Sequence, residues 1–441
     1  FRRARLPEQL EGDLLTFVDT LRCPVAVRSS SLLEDSHYQP FAGIYNTYMV
    51  PYLDNHGRML SMLCDAIKGV YASVFFKDSK AYMQATRNVI DEEKMAVVLQ
   101  EVVGSRYGDH FYPNISGVGR SLNYYPLDDE RAEEGTVSLA LGLGKYIVDG
   151  GRTLRVCPAH PARVLQTSDT EMALRETQTR FCALDLKNMG ENFSVDDGFN
   201  LLRLPVKTAD ADGSLQFIAS TFNPTDQVIY PGLYPGGRKI ISFVGVLEHD
   251  VVPLPQIMRE VLQMGEEAMR RPVEIEFAVE IDAKNRSCVF YLLQIRPMVD
   301  VRTEVNIDLS AIDPARVLLR SDNALGHGNF DDLTDVVYVK TDDYSAGNNP
   351  LIAEEIERLN AGFLAEGRHY VLIGPGRWGS SDPWLGVPVK WPAISAARLI
   401  VEAGLTNYRV DPSQGTHFFQ NLTSFGVGYF TINDYIGDGL Y

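Results

Sequence analysis

The sequence predicts a mixed α+β/α/β chain of two or three folding units, the last of them a smaller α/β unit. Three observations predict it. The chain has 441 residues, more than one hydrophobic core ordinarily serves. Residues 273–297 alternate apolar and acidic positions up to a turn, the mark of a strand hairpin. Residues 313–441 then run through strand, helix and strand patterns in succession.

Composition bounds the function. Apolar residues make up 45% and charged residues 22%, the ordinary globular range. A formal net charge of −17 excludes a passive nucleic-acid binder, which needs a basic face. It leaves room for a nucleotide, which a few local cations and a metal can hold. Cys23, Cys64, Cys157, Cys182 and Cys288 are scattered, odd in number and form no Cys-x-x-Cys pair. Reduced thiols and a cytoplasmic location are expected. No apolar run reaches the roughly 18 residues of a membrane span, so no membrane partner is expected. The opening Phe-Arg-Arg-Ala-Arg lacks the apolar core of a signal peptide and does not begin with methionine, so a cut from a longer chain is expected.

Taken in order, residues 8–20 read as a helix with Leu10, Leu14, Leu15 and Val18 near helical spacing. Pro24 opens a short strand, Val25–Val27, before a polar cluster at Arg28–Ser31 and then Glu34-Asp35. A long helix is predicted over 58–86, because Leu60, Leu63, Ile67, Val70, Val74 and Phe75 recur every three or four residues. Residues 95–103 read as a buried strand. The middle, 105–300, mixes short strands such as 137–141 and 239–243 with loops, and a helix at 254–270 precedes the hairpin. Residues 300–312 read as a polar linker. Beyond it come a strand at 335–339, a helix at 350–366, a strand at 369–373, a Gly-rich loop at 374–386, and a helix or strand at 393–402. There is no internal repeat and no low-complexity tract.

In the hairpin, Val273, Ile275, Phe277, Val279 and Ile281 are apolar, and the positions between them are mostly acidic. Asp282–Arg286 supplies turn residues. Pairing about the turn puts Glu274, Glu276, Gln294 and Arg296 on one sheet face. Two carboxylates and a neutral amide oxygen suit Mg²⁺, which takes oxygen ligands together with substrate phosphates, and an arginine beside them can grip a phosphate. Pattern alone equally admits a solvated acidic face with Arg296 paired to a glutamate, and Glu280 fits that version. At the end of the first strand, Arg28 is placed to clamp phosphate oxygens, and Ser29 and Ser30 to donate hydrogen bonds or support a metal's water shell. A polar loop with Arg28 paired to Glu34 or Asp35 is the alternative.

Val25–Ser30, Glu34-Asp35 and Phe41-Ala42-Gly43 resemble the Ala-Val-Arg-Ser-Ser…Glu-Asp…Phe-Ala-Gly signature of the phosphoenolpyruvate synthase and pyruvate phosphate dikinase family. Val98–Val103 resembles that family's adenine-hinge strand, and Ser116-Gly117-Val118 resembles the segment that follows it. Gly142-Leu143-Gly144 resembles its Gly-Leu-Gly-Glu turn. Ile275-Glu276-Phe277 and Leu293–Pro297 resemble its terminal hairpin. The order agrees, and the resemblance covers about 20–300. It implies an ATP-grasp nucleotide-binding domain, with a partial N-terminal lobe at 1–105 and a second lobe at 106–300, followed by an α/β domain at 313–441. It implies ATP and Mg²⁺ as ligands, Arg28 and Arg296 on phosphates, Glu274, Glu276 and Gln294 around the metal, and Gln100, Glu101 and Val102 along the adenine.

The departures are specific. Residues 1–20 hold neither the family's Gly-Lys segment nor any lysine. Lys145 stands where the family usually has glutamate, the hairpin turn is longer, and no barrel for phosphoenolpyruvate and pyruvate is present. In the C-terminal unit, Val317–Leu319 with Ala324–Gly326 resembles the first strand of the family's swivelling domain. Gly415-Thr416-His417 resembles, without its Thr-Ser-His-Ala-Ala, the loop that presents the phosphohistidine at a helix start. His417 is therefore a candidate phosphocarrier, with a structural histidine as the alternative. Gly374–Ser381 reads as an anion-binding loop around Arg377 or as a rigid turn with Trp378 and Trp384 packed on the core. The expected function is an ATP- and Mg-dependent phosphotransferase resembling phosphoenolpyruvate synthase (pyruvate, water dikinase), transferring phosphoryl from ATP to a histidine carrier. The acceptor, or the domain carrying it, belongs to a longer chain. The alternatives are a non-catalytic ATP-binding regulatory module, or a dikinase-like enzyme acting on another acceptor, such as an antibiotic or polysaccharide.

Overall fold

In the computed structural model, three of the six sheets among the described residues frame the site and follow one another in sequence order. Two smaller antiparallel sheets accompany them, one of Ser105–Tyr107, His110–Tyr112, Arg180–Asp185 and Leu201–Pro205, the other of Ala219–Asn223, Val228–Pro231 and Arg238–Ile241. The structure describes residues 1, 3–31, 34, 43–77, 79–80, 83, 93–127, 129–187, 193–298, 312–321, 323–325, 330, 333–405, 408, 416–424 and 426–433. The predicted 300–312 linker, Asp35, Phe41-Ala42, 84–86, Gly326 and Gly415 lie almost wholly or wholly outside them.

The first sheet has Val25–Ser31 at its centre, with Tyr48–Val50 and Met95–Glu101 antiparallel on either side. Helices Glu8–Thr20 and His56–Ser73 cover one face, burying Leu14 and Val18 from the first and Met59, Leu63, Ile67 and Val70 from the second against Val25 and Val27. The predicted short strand runs on through Arg28 to Ser31, because Met95–Val98 continue to pair with it. The predicted 58–86 helix is interrupted: its first part ends at Ser73, a turn follows at 74–76, and residues 77, 79–80 and 83 are helical again. There Ser79 Oγ donates to the Ser73 carbonyl at 2.6 Å, which meets a helix-end acceptor from a side chain. The strand Met95–Glu101 is not buried as predicted; it is an edge strand, and Val98 is 45% exposed.

The second sheet is antiparallel throughout, in the order Ser287–Pro297, Val273–Asp282, Ile115–Arg120, Thr136–Ala140, Leu154–Val156. Ile115–Arg120 is buried along its whole length. Helix Leu254–Met269 lies against it, presenting Leu254, Met258 and Leu262 at helical spacing. Two glycines allow this close packing. A Cβ on Gly119 would come within 2.8 Å of Met258, and one on Gly117 within 2.1 Å of the Phe277 ring.

The third sheet has Asn323–Leu325, Gly428–Asn433, Ala397–Gly404, Tyr370–Pro375 and Asp335–Tyr338 in that spatial order, parallel except at the first strand. Helix Asn349–Glu366 starts with proline in its first turn and stops at Gly367, which takes the left-handed conformation (φ 66°). Residues 317–319 are not a strand, and Leu318 is 72% exposed; Asn323–Leu325 pairs with the strand Gly428–Asn433. The predicted loop at 374–386 contains a two-residue parallel ladder, Arg377–Trp378 with Gly386–Val387. The helix-or-strand segment resolves as a strand, Ala397–Gly404. Trp378 is buried as expected, whereas Trp384 is 62% exposed. The five cysteines are free. No described helix is long and apolar enough to cross a membrane.

The packing at Gly117 predicts a clear contrast. Gly117→Ala should lower stability by about 1–3 kcal/mol or more, since Phe277 must leave its place. Gly12→Ala, where a Cβ meets nothing within 4 Å on an exposed helix, should raise it by about 0.5–1 kcal/mol. Urea unfolding of both variants checks this; equal effects would refute the packing argument.

Candidate functional site

A cavity opens where the strand Val25–Ser31 faces the hairpin 273–297. Ala26, Arg28 and Ser29 line it from the strand, and Glu276, Phe277, Gln294 and Arg296 from the hairpin. Gln100–Val103 line another part, and Leu143, Gly144 and Lys145 a third. Strand parity operates as the sequence pattern suggested: Glu274 opposes Arg296 and Glu276 opposes Gln294. Beyond them Leu293 is an extra residue, so Phe277 pairs with Leu292 and the register shifts by one.

The side chains form a continuous row. Arg28 Nη2 donates to Glu276 Oε2 at 3.0 Å and to Gln294 Oε1 at 2.6 Å, and its Nη1 donates to Gln100 Oε1 at 3.1 Å. Arg296 contacts Glu276 Oε1 at 3.1 Å and Glu274 Oε1 at 3.3 Å. Arg120 closes the row, its Nε donating to Glu274 Oε2 at 2.7 Å. Arg28 thus pairs with Glu276, while Ser29 Oγ donates to Glu34 at 2.8 Å. The hairpin face is not a solvated acidic surface: Glu274 is 4% exposed and Arg296 7%. Glu280 lies beyond the bulge, accepting from Ser105 Oγ at 2.6 Å and Tyr291 at 3.3 Å.

The predicted site residues separate in placement. Arg28, Ser29, Gln100, Glu101, Val102, Glu276, Gln294, Arg296 and His417 line the cavity; Ser30 and Glu274 do not. Glu274 sits between Arg120 and Arg296, each of its oxygens facing one arginine. Val102 has its backbone N–H committed to the Pro24 carbonyl at 2.9 Å. Arg377 is buried away from the cavity lining. Its loop is braced by Trp378, whose Nε1 donates to the Val401 carbonyl at 3.0 Å, and by Ser380, whose Oγ donates to the Gly150 carbonyl at 3.0 Å.

Divalent-cation chemistry can be judged from the donors. No group of three or more His, Cys, Asp and Glu side chains able to hold a metal occurs among the described residues. Glu276 Oε2 and Gln294 Oε1 nevertheless converge on one cationic nitrogen, Arg28 Nη2. Two protein oxygens aimed at one positive centre, with remaining positions left to phosphate and water, fit Mg²⁺.

His417 opens the helix His417–Ser424 and reaches the same cavity. Gly43, at φ 69°, stands so close that a Cβ would lie 2.1 Å from His417 Nδ1, so glycine is required there on two counts. Burial pushes the imidazole down from 6.5 to about 3; Arg296 and Lys145 reinforce the shift, and Glu274 and Asp149 oppose it. The ring is therefore neutral at neutral pH. Two residues further on, the Phe419 ring lies 5.3 Å from the Arg120 guanidinium and packs near Tyr124, Tyr125 and Tyr429.

Sequence reasoning missed Arg120, Asp149 and Asp197 and treated Lys145 only as a departure. Arg120 had a signal: it ends an apolar strand and stands opposite Glu274 once the register is known. Asp149 also had one, standing four residues after Lys145 at helical pairing distance; Asp197 had none, because 52 residues separate it from Lys145.

Residues 1–311 match the family model described as the pyruvate phosphate dikinase AMP/ATP-binding domain. The chain is also 33% identical over 129 residues to an uncharacterised phosphotransferase, YvkC, of Bacillus subtilis (strain 168). That stretch covers 29% of this chain and 14% of the relative.

Two predictions follow from the geometry. Glu274→Ala leaves Arg120 buried without its carboxylate and should cost about 3–5 kcal/mol. Glu276→Ala, at the cavity wall, should cost about 1 kcal/mol, and denaturant midpoints that coincide would contradict the distinction. For His417, the unfolded chain binds a proton below about pH 6.5 that the folded chain refuses until about pH 3. Its contribution to stability is thus present above pH 6.5 and lost as the pH falls toward 3, with a slope approaching about 1.4 kcal/mol per pH unit. Unfolding curves of the wild type and His417→Gln between pH 7 and 4 should diverge in that direction.

Proposed function

The chain belongs to the family of pyruvate phosphate dikinase AMP/ATP-binding domains, and on that premise we propose that its cavity seats Mg-ATP and passes phosphoryl groups to His417. The family level gives ATP binding and phosphotransfer; the acceptor and the roles of individual residues are the proposal. One observation carries it: His417 lines the same cavity as Arg28, Glu276, Gln294 and Arg296. Residues 1–105 and 106–300 then act as two ATP-grasp lobes, and 313–441 as a unit comparable to the swivelling domain.

Arg28 and Arg296 orient the phosphates and offset their charge. Glu276 and Gln294 would hold Mg²⁺, which when bound screens charge building on the phosphate oxygens. Glu274 keeps Arg296 aimed, and Gln100, Glu101 and Val102 border the base. A neutral nitrogen of His417 attacks the β-phosphorus. An N–P bond forms, the α–β bridging P–O bond breaks, and its electron pair leaves on AMP. The products are AMP and a pyrophosphorylated histidine, so atoms and charge balance. The depressed basicity of His417 supports this role, because a protonated ring has no free lone pair.

The test uses the full-length protein with ATP labelled at the β- or the γ-phosphate. Both labels are expected on His417 with release of AMP, and His417→Asn should bind ATP but take up no label. Label from the γ-position alone with ADP would make it a simple kinase. Binding without label would make the domain a regulatory module. Glu276→Gln should weaken Mg-ATP binding about tenfold or more, measured by calorimetry.

A further inference from the structure

Lys145 is the lysine on the lining of this cavity, and neither the sequence pattern nor the family resemblance gives it a task. It follows Gly142-Leu143-Gly144, in the position where the resemblance expects glutamate. A phosphate chain carries several negative charges, yet both cavity arginines are already partly neutralised by Glu276. Lys145 lies on a different part of the wall and shares the cavity with His417.

Its present partners are two carboxylates: Asp149 Oδ1 at 3.1 Å and Asp197 Oδ2 at 3.3 Å. An ion pair of this kind is by itself a structural feature. Here neither carboxylate depends on the lysine. Asp149 is also held by Arg203 at 3.1 Å, and its backbone carbonyl accepts from the Ser381 N–H at 2.9 Å. The Asp197 side chain is 31% exposed, so water can replace the ammonium. Lys145 can turn to a phosphate without leaving a buried carboxylate bare, which is the usual obstacle to such an exchange. Burial disfavours the charged ammonium, but Asp149 and Asp197 outweigh it, raise its pKa above the ordinary lysine value and keep it charged.

We propose that Lys145 is a phosphate-binding residue, exchanging Asp197 for the terminal phosphates of a nucleoside triphosphate as they approach His417. The inference rests on the nucleotide reading above and adds a third cation to it. A point charge on a flexible stem suits a group that moves during transfer, whereas the arginines hold fixed geometry.

Calorimetry on the full chain with Mg-ATP and with AMP tests it. Lys145→Met should weaken Mg-ATP at least tenfold while leaving AMP within twofold, and Lys145→Arg should recover part of the loss. Retained AMP binding also reports that the variant is folded. Unchanged Mg-ATP affinity in Lys145→Met, or equal loss of both nucleotides, overturns the assignment and leaves the nucleotide reading standing. Failure of the wild type to bind either nucleotide overturns both.

Discussion

The row of alternating charges from Arg120 through Glu274, Arg296 and Glu276 to Arg28 is the constraint on which the rest depends. Taking so many ions out of water is costly, and only mutual pairing makes it tolerable. Pairing in turn fixes geometry. Arg120 and Arg296 hold Glu274 from both sides, which orients Arg296, and the chain of contacts ends on a residue of a different sheet. The first and second sheets are therefore joined at the cavity by charge as well as by apolar packing. A nucleotide phosphate entering this row would meet cations whose directions are already set.

The third sheet approaches the cavity by other means. Phe419 and Tyr429 pack with Tyr125 in one apolar cluster. Ser380 and Ser381 bond to the backbone carbonyls of Gly150 and Asp149. These contacts set the start of the helix at His417 against Gly43. The glycine ending the Phe-Ala-Gly motif thereby acquires a physical reason that no local turn rule supplies: it makes room for the side chain of His417, far along the sequence.

Much of this was legible in the sequence, and the limits are physical. Period-two alternation put Glu274, Glu276, Gln294 and Arg296 on one face correctly, because strand parity is a local property. The same parity failed to separate Glu274 from Glu276, since depth depends on Arg120 from a neighbouring strand. The strand at Val25 ran longer than its apolar stretch because pairing with Met95–Glu101 holds the polar residues in line. The helix after His56 breaks after Ser73 and resumes at residue 77, and the side-chain bond from Ser79 to the Ser73 carbonyl at that break is one that apolar spacing does not register. Trp378 and Trp384 look alike in the sequence, and only the ladder at Arg377–Trp378 puts one inside and leaves the other out.

The extra residue at Leu293 divides the hairpin into two halves with independent geometry. On the near side the pairing aims the cavity groups. On the far side, the tip is closed by its own bonds, with Asp282 accepting from the backbone of Lys284 at 2.9 Å and of Asn285 at 3.1 Å. Changes of length at the tip can be absorbed there without rotating any group around the cavity. The hairpin thus offers a natural graft point, where a reporter or a tethering segment can be spliced into the chain at the distal end of a cavity-forming strand pair.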